Sequence, residues 1–134
     1  WVIAHRFRVL EDGRLLVVVF EGTIEPEAAR QALLRVGGLP ELRADARVLV
    51  DRRRARTGVG PEDVKPQMSL ARQVFPEGAR PRMAIVVTTD VDFGMMRLLE
   101  LRGDASLPHE VQVFRDLDRA CAWLDVDPAA VDRI

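Results

Sequence analysis

The residues of this chain that could do chemistry gather in three short stretches. Asp51-Arg52-Arg53-Arg54-Ala55-Arg56-Thr57-Gly58-Val59-Gly60 sets a carboxylate, four arginines and a hydroxyl ahead of two glycines. Guanidinium groups pair with anions, and the N–H groups of a glycine turn that precedes a helix can point at the same charge. Thr88-Thr89-Asp90 adds two hydroxyls and a carboxylate, and Arg115-Asp116 adds a further charged pair. The glycines lack the third Gly of a dinucleotide fingerprint and the Lys-Ser/Thr of a phosphate loop. The expectation is a polar loop that holds anions weakly, with Asp51 and Arg52 paired to fix its base.

Other chemistry is thinly supplied. His5 and His109 are the only imidazoles, and no ligand spacing joins them to a metal site. Ser69 and Ser106 lie outside any Gly-x-Ser-x-Gly elbow. Cys121 is the single cysteine; it excludes an internal disulfide and falls on an apolar helical stripe, as a buried thiol does. The expectation is no enzyme, no cofactor and no metal. With 20 basic and 21 acidic residues the net charge is -1, so no overall field draws nucleic acid or an anionic membrane. The chain has no Tyr and its arginine cluster no aromatic, which leaves bases nothing to stack on. No run approaches the ~20 apolar residues of a membrane span, and the lone thiol suits the cytoplasm.

The elements that must carry these stretches follow from periodicity. Ile3, His5, Phe7 and Val9 alternate with Arg6 and Arg8, the pattern of a half-exposed strand, and Asp12-Gly13 suits a hairpin turn. Leu15 to Phe20 is apolar at every position, so both faces of that strand must be covered. From Pro26 the period becomes helical through Ala29, Ala32, Leu33 and Val36, and Gly37-Gly38 stop the helix. Val48-Leu49-Val50 reads as a third strand, followed by the arginine loop and a second helix with Val64, Met68, Ala71 and Phe75, interrupted early by Pro66. Met83 to Val87 is a fourth strand. A third helix from Val91 to about Arg102 follows Thr88-Thr89-Asp90, which can cap it. Val111, Val113 and Phe114 mark a fifth strand, and Asp116 caps a last helix with Leu117, Ala120, Cys121 and Leu124. This is one α/β domain over residues 1–126, a hairpin and then alternating helices and strands in a mixed five-stranded sheet, with a tail over 127–134. In open sheets of this kind ligands bind where the carboxyl ends of the strands converge.

Three segments carry a family likeness: Val48-Leu49-Val50-Asp51-Arg52; Ala84-Ile85-Val86-Val87 through Asp90 to Phe93-Gly94-Met95; and Val111-Gln112-Val113-Phe114-Arg115-Asp116-Leu117-Asp118-Arg119-Ala120-Cys121-Ala122-Trp123-Leu124. With the opening hairpin, the chain resembles the SpoIIAA-like group of small bacterial proteins related to the STAS domain. The resemblance implies a mixed sheet with helices packed on it and no known catalytic activity. Antagonists of anti-sigma factors in that family carry a phosphorylatable hydroxyl where the second helix starts. Here that position is about Gly60, and Thr57 is the only hydroxyl nearby, so a phosphorylation switch is not expected.

The reading that results is a regulatory module working through protein contact. Asp51, Arg52, Arg54, Thr57, Thr88, Thr89 and Asp90 form one end of its surface, and Phe93, Met96 and Arg97 of the third helix the rest. At about 100° per residue, Val91, Met95, Leu98, Leu99 and Leu101 share an arc that should pack on the sheet. Phe93 and Met96 should then project outward, a place for a homodimer to close. The alternative is a carrier or sensor of a small apolar or anionic ligand held between this helix and the sheet edge.

Overall fold

The apolar run Leu15–Phe20 is buried throughout and opens strand β2 (Leu15–Ile24). Strand β1 (Ala4–Leu10) pairs with it antiparallel, Leu10 opposite Leu15. β3 (Arg47–Thr57), β4 (Arg82–Val86) and β5 (Glu110–Phe114) follow in parallel, in the order β1-β2-β3-β4-β5. The computed structural model describes residues 4–10, 14–37, 45–58, 60–74, 82–103 and 110–131. The expected turn at Asp12-Gly13, together with Phe75 and His109, lies outside the described residues.

A sequential strand order makes every crossover step in the same direction, and crossovers of one hand then stack on one face. Helices α1 (Pro26–Gly37), α2 (Val64–Val74) and α3 (Asp90–Gly103) obey this. Ala32 and Val36 of α1 and Val64 of α2 close over Leu16, Val18, Phe20 and Val48; Met96 of α3 closes over Ile85, Val87 and Val113. The opposite face is covered by α4 (Leu117–Leu124) and α5 (Pro128–Val131). There Leu117, Ala120, Cys121, Leu124 and Val131 meet Leu15, Val17, Val19, Leu49, Ala84 and Val86. Asp116 caps α4, its Oδ1 accepting the Asp118 N–H at 2.7 Å, and Asp125 ends it in the left-handed region at φ 59.

Five expectations need correction. β3 does not stop at Val50; it runs on to Thr57. β2 likewise continues past Phe20, and its polar end pairs Glu21 with Arg54 through to Ile24 with Thr57. One extra residue on β3 in this stretch makes a bulge, since Val19 faces Asp51 but Glu21 already faces Arg54. Beside it Gly22 takes φ 85, a conformation that costs a side-chain-bearing residue about 1–2 kcal/mol. Pro66 does not break α2, because it falls in the first turn, where its missing N–H would have had no helical partner. The residues after Asp127 are no mere tail: α5 buries Val131 to 3% exposure.

The fifth correction is the roll of α3. Met96 is buried at 6%, whereas Val91 and Leu101 are exposed at 70% and 65%; Phe93 packs, half-buried, on the cluster around Ile85. Of the face expected inside, Val91 and Leu101 lie outside, while Met95 and Leu98 pack, half-buried, on the cluster around Leu16. α3 has apolar residues all round, so periodicity cannot choose its inner face; polar contacts of its first turn do.

Candidate binding site at the carboxyl ends of the strands

Alternation along β3 parts the two residues expected to pair. Asp51 and Arg52 are both buried at 7%, on opposite faces of the sheet. Asp51 pairs instead with Arg53, its Oδ1 accepting the Arg53 N–H and Nε–H, each at 3.0 Å, and its Oδ2 accepting Nη2–H at 2.9 Å. This is the side-on, two-pronged grip that a guanidinium makes on a carboxylate. The Thr88 hydroxyl donates to the Arg53 carbonyl at 3.2 Å, tying the segment after β4 to β3. Arg54 leans towards Glu21 at 3.8 Å with most of its side chain exposed. The arginines therefore divide between the faces of the sheet instead of lining one loop.

The glycines hold no anion cradle either. The Gly58 N–H donates to the Ile24 carbonyl at 2.8 Å, and a Cβ on Gly58 would sit 2.9 Å from that oxygen; the glycine is there so that two strand ends can meet. The Gly60 N–H donates to Asp63 Oδ2 at 2.8 Å. Both donors are spent.

Arg52 lies beneath the start of α3. Its guanidinium stands 5.9 Å from the Phe20 ring centroid, and burial lowers its pKa to about 10, an effect that the nearby Asp92 carboxylate partly offsets. Asp92 is 1% exposed. Its N–H donates to the Thr89 hydroxyl at 3.1 Å, so Thr89 serves as the helix cap. Its Oδ1 accepts the Thr57 backbone N–H at 2.6 Å. Thr57 thus enters this site through its backbone. Asp92 Oδ2 and the Nε and Nη2 of Arg52 are buried without a hydrogen-bond partner among the described residues.

A second, exposed group stands at the ends of β4 and β5. Arg115 pairs with Asp90 at 2.6 Å and lies over the Phe93 ring at 4.4 Å. Arg97 is turned away towards Glu100, 2.8 Å distant, and Glu100 Oε2 accepts the Val113 N–H at 3.0 Å. The structure therefore gathers Arg52, Thr57 and Thr89 around Asp92, with Phe20 against Arg52, and groups Asp90, Phe93 and Arg115 at the ends of β4 and β5. Arg54 and Arg97 stand apart, and Met96 belongs to the core.

Asp92 and Glu100 are the residues that the sequence reading overlooked. The spacing Thr89-x-x-Asp92 resembles a capping box and was a usable sign of a helix start, but nothing local marks Thr57 as a partner. Among the described residues, no group of three or more His, Cys, Asp or Glu side chains could hold a metal ion, and no helix is long and apolar enough to cross a membrane.

The chain matches no protein-family model and no curated protein. It is similar in structure to an uncharacterised DUF3478-family protein with a SpoIIAA-like fold from Shewanella loihica PV-4. That likeness has a TM-score of 0.56 and 19% identity, over 91% of this chain and 93% of the other. A mixed five-stranded sheet opened by a hairpin, with helices packed on both faces, agrees with it: the chain has the SpoIIAA-like fold.

Proposed function

We propose that this chain is a non-enzymatic regulatory module that acts through protein contact, and that its contact surface is the outer face of α3. The supporting observation is the exposure of Val91 and Leu101, at 70% and 65%, on a helix whose inner face is already filled by Met96. Val91, Gly94, Leu98 and Leu101 recur at spacings of three and four, which places them on one stripe. A Cβ built on Gly94 would meet nothing within 4 Å, so the stripe has a shallow hole at Gly94, and at its inner margin Leu98 is half-buried against the core cluster around Leu16.

A second copy of this chain is the simplest partner. Two such helices crossing antiparallel about a two-fold axis level with Met96 bring Val91 against Leu101 and Leu98 against Gly94. Each large side chain then meets a complementary place, and one patch suffices for closure. The homodimer expected from Phe93 and Met96 is thereby moved to the other side of the same helix. Light scattering of the purified chain tests it: a dimer that Val91→Glu with Leu101→Glu converts to folded monomer supports the reading, and a monomer at high protein concentration refutes it.

A further inference from the structure

The bulge in β3 changes which way its arginines face. Arg52 turns towards Phe20, on the side of the sheet that α1, α2 and α3 cover, and strict alternation would send Arg54 and Arg56 the same way. The extra residue reverses the phase. Past it, Ala55 and Ile24 are the residues that join the cluster beneath α1 and α2, so Arg54 and Arg56 turn to the opposite face, Arg54 beside Glu21 and Arg56 beside Thr23. The cluster beneath α4 and α5 reaches Val19 of β2 and no further along that strand. Beyond it the Arg54 side chain is 76% exposed, and Thr23 and Arg56 are exposed too. The Arg56 guanidinium has no ion-pair or hydrogen-bond partner among the described residues.

We infer that the tail of β3 is a docking row for an extended acidic segment of another protein, one whose carboxylates fall on alternate residues. Same-face residues of a strand stand roughly 6.6 Å apart, so Arg54 and Arg56 match carboxylates two residues apart in an extended partner. Asp51 shows the mode: Arg53 grips its carboxylate side-on at 3.0 and 2.9 Å. The Thr23 hydroxyl adds a donor beside Arg56. Width sets the class of partner. Glu21 lies on the neighbouring strand, and Glu25 stands beside Gly58, where a Cβ would be 3.2 Å from the Glu25 carboxyl carbon; these acids border the arginine row. A duplex or an anionic membrane is broader than one strand and would press on both, whereas a single extended chain lies along the arginines. A single-stranded nucleic acid finds no aromatic to stack on here. The row faces away from α3 and does not depend on the dimer proposed above.

Fluorescence anisotropy of labelled peptides on the full chain, at low ionic strength, tests the inference. A short peptide of alternating Glu and Thr should bind. Its Gln-Thr counterpart, and a peptide with as many Glu placed at every third residue, should bind at least about fivefold more weakly. Arg54→Gln and Arg56→Gln, both in solvent, should each weaken the alternating peptide about fivefold. Glu21→Gln, which removes the carboxylate leaning on Arg54, should tighten it about threefold. Arg30→Gln takes the same charge from α1 and should change nothing. No binding of the alternating peptide, binding that ignores Glu spacing, or an equal loss with Arg30→Gln would overturn the proposal. So would an oligothymidylate of equal charge that binds as tightly. Light scattering on the same samples reports the α3 dimer separately, so the failure of either reading is told from that of the other.

Discussion

The Asp92 carboxylate and the Thr57 backbone N–H, 35 residues apart in the chain, meet at 2.6 Å and so join the first turn of α3 to the last residue of β3. This contact sets the roll of α3 about its axis. With Asp92 turned inward, Met96 one turn later must face the sheet, and Val91 and Leu101 must face away.

Removing the carboxylate tests that link. Asp92→Ala leaves the Thr57 N–H without its acceptor in a partly buried place, which should cost about 1–3 kcal/mol. Asp92→Asn retains an acceptor oxygen and should cost less. Urea unfolding of the three proteins measures the difference.

The roll itself is tested by truncation along the helix. Met96→Ala should destabilise by about 2–5 kcal/mol, as for a buried Met in a packed core. Val91→Ala and Leu101→Ala should stay within about 0.5 kcal/mol, because each already lies in solvent. Calorimetry in which the exposed positions dominated would mean that the helix is rolled the other way.

Glu100 governs the outer edge of β5. Its Oε2 takes the Val113 N–H at 3.0 Å, covering a donor that an edge strand would otherwise present to another chain. Glu100→Ala should speed hydrogen exchange at the Val113 amide and lower stability by about 1 kcal/mol. An unchanged exchange rate would show that the carboxylate does not protect this amide.

Asp51 and Arg53 are expected to couple, and Asp51 and Arg52 are not. A double-mutant cycle of Asp51→Ala and Arg53→Ala should give an interaction of about 0.5–1 kcal/mol. The figure is at the lower end because the Arg53 side chain is 38% exposed and solvent screens the pair. The same cycle with Arg52→Ala should give nearly none.

The order of strands and helices, and most of the core, could be read from the chain itself. The uninterrupted apolar run Leu15–Phe20 demanded cover on both faces, and Leu16, Val18, Leu49, Ile85, Val87 and Val113 are buried as their alternation implies. Caps such as Asp116 and stops such as Gly37 act within a few residues and leave local signatures. The run from Arg52 to Arg56 misled because polar composition suggests a loop, while its strand conformation comes from hydrogen bonds to the tail of β2.

What tertiary structure alone decided is which side of each element faces what. Strand alternation sends Arg52 and Asp51 to opposite faces, yet only the positions of Asp92 and Arg53 determine that one stays unpaired and the other is gripped. α3 is apolar on every side, so its inner face is chosen by the Thr57 contact, which no window along the sequence contains. Val131 likewise becomes core because Leu124 and its neighbours lie across from α5. Periodicity and capping are properties of adjacent residues and survive in the sequence; the pairing of buried polar groups depends on distant segments arriving together, and that exists only in the folded chain.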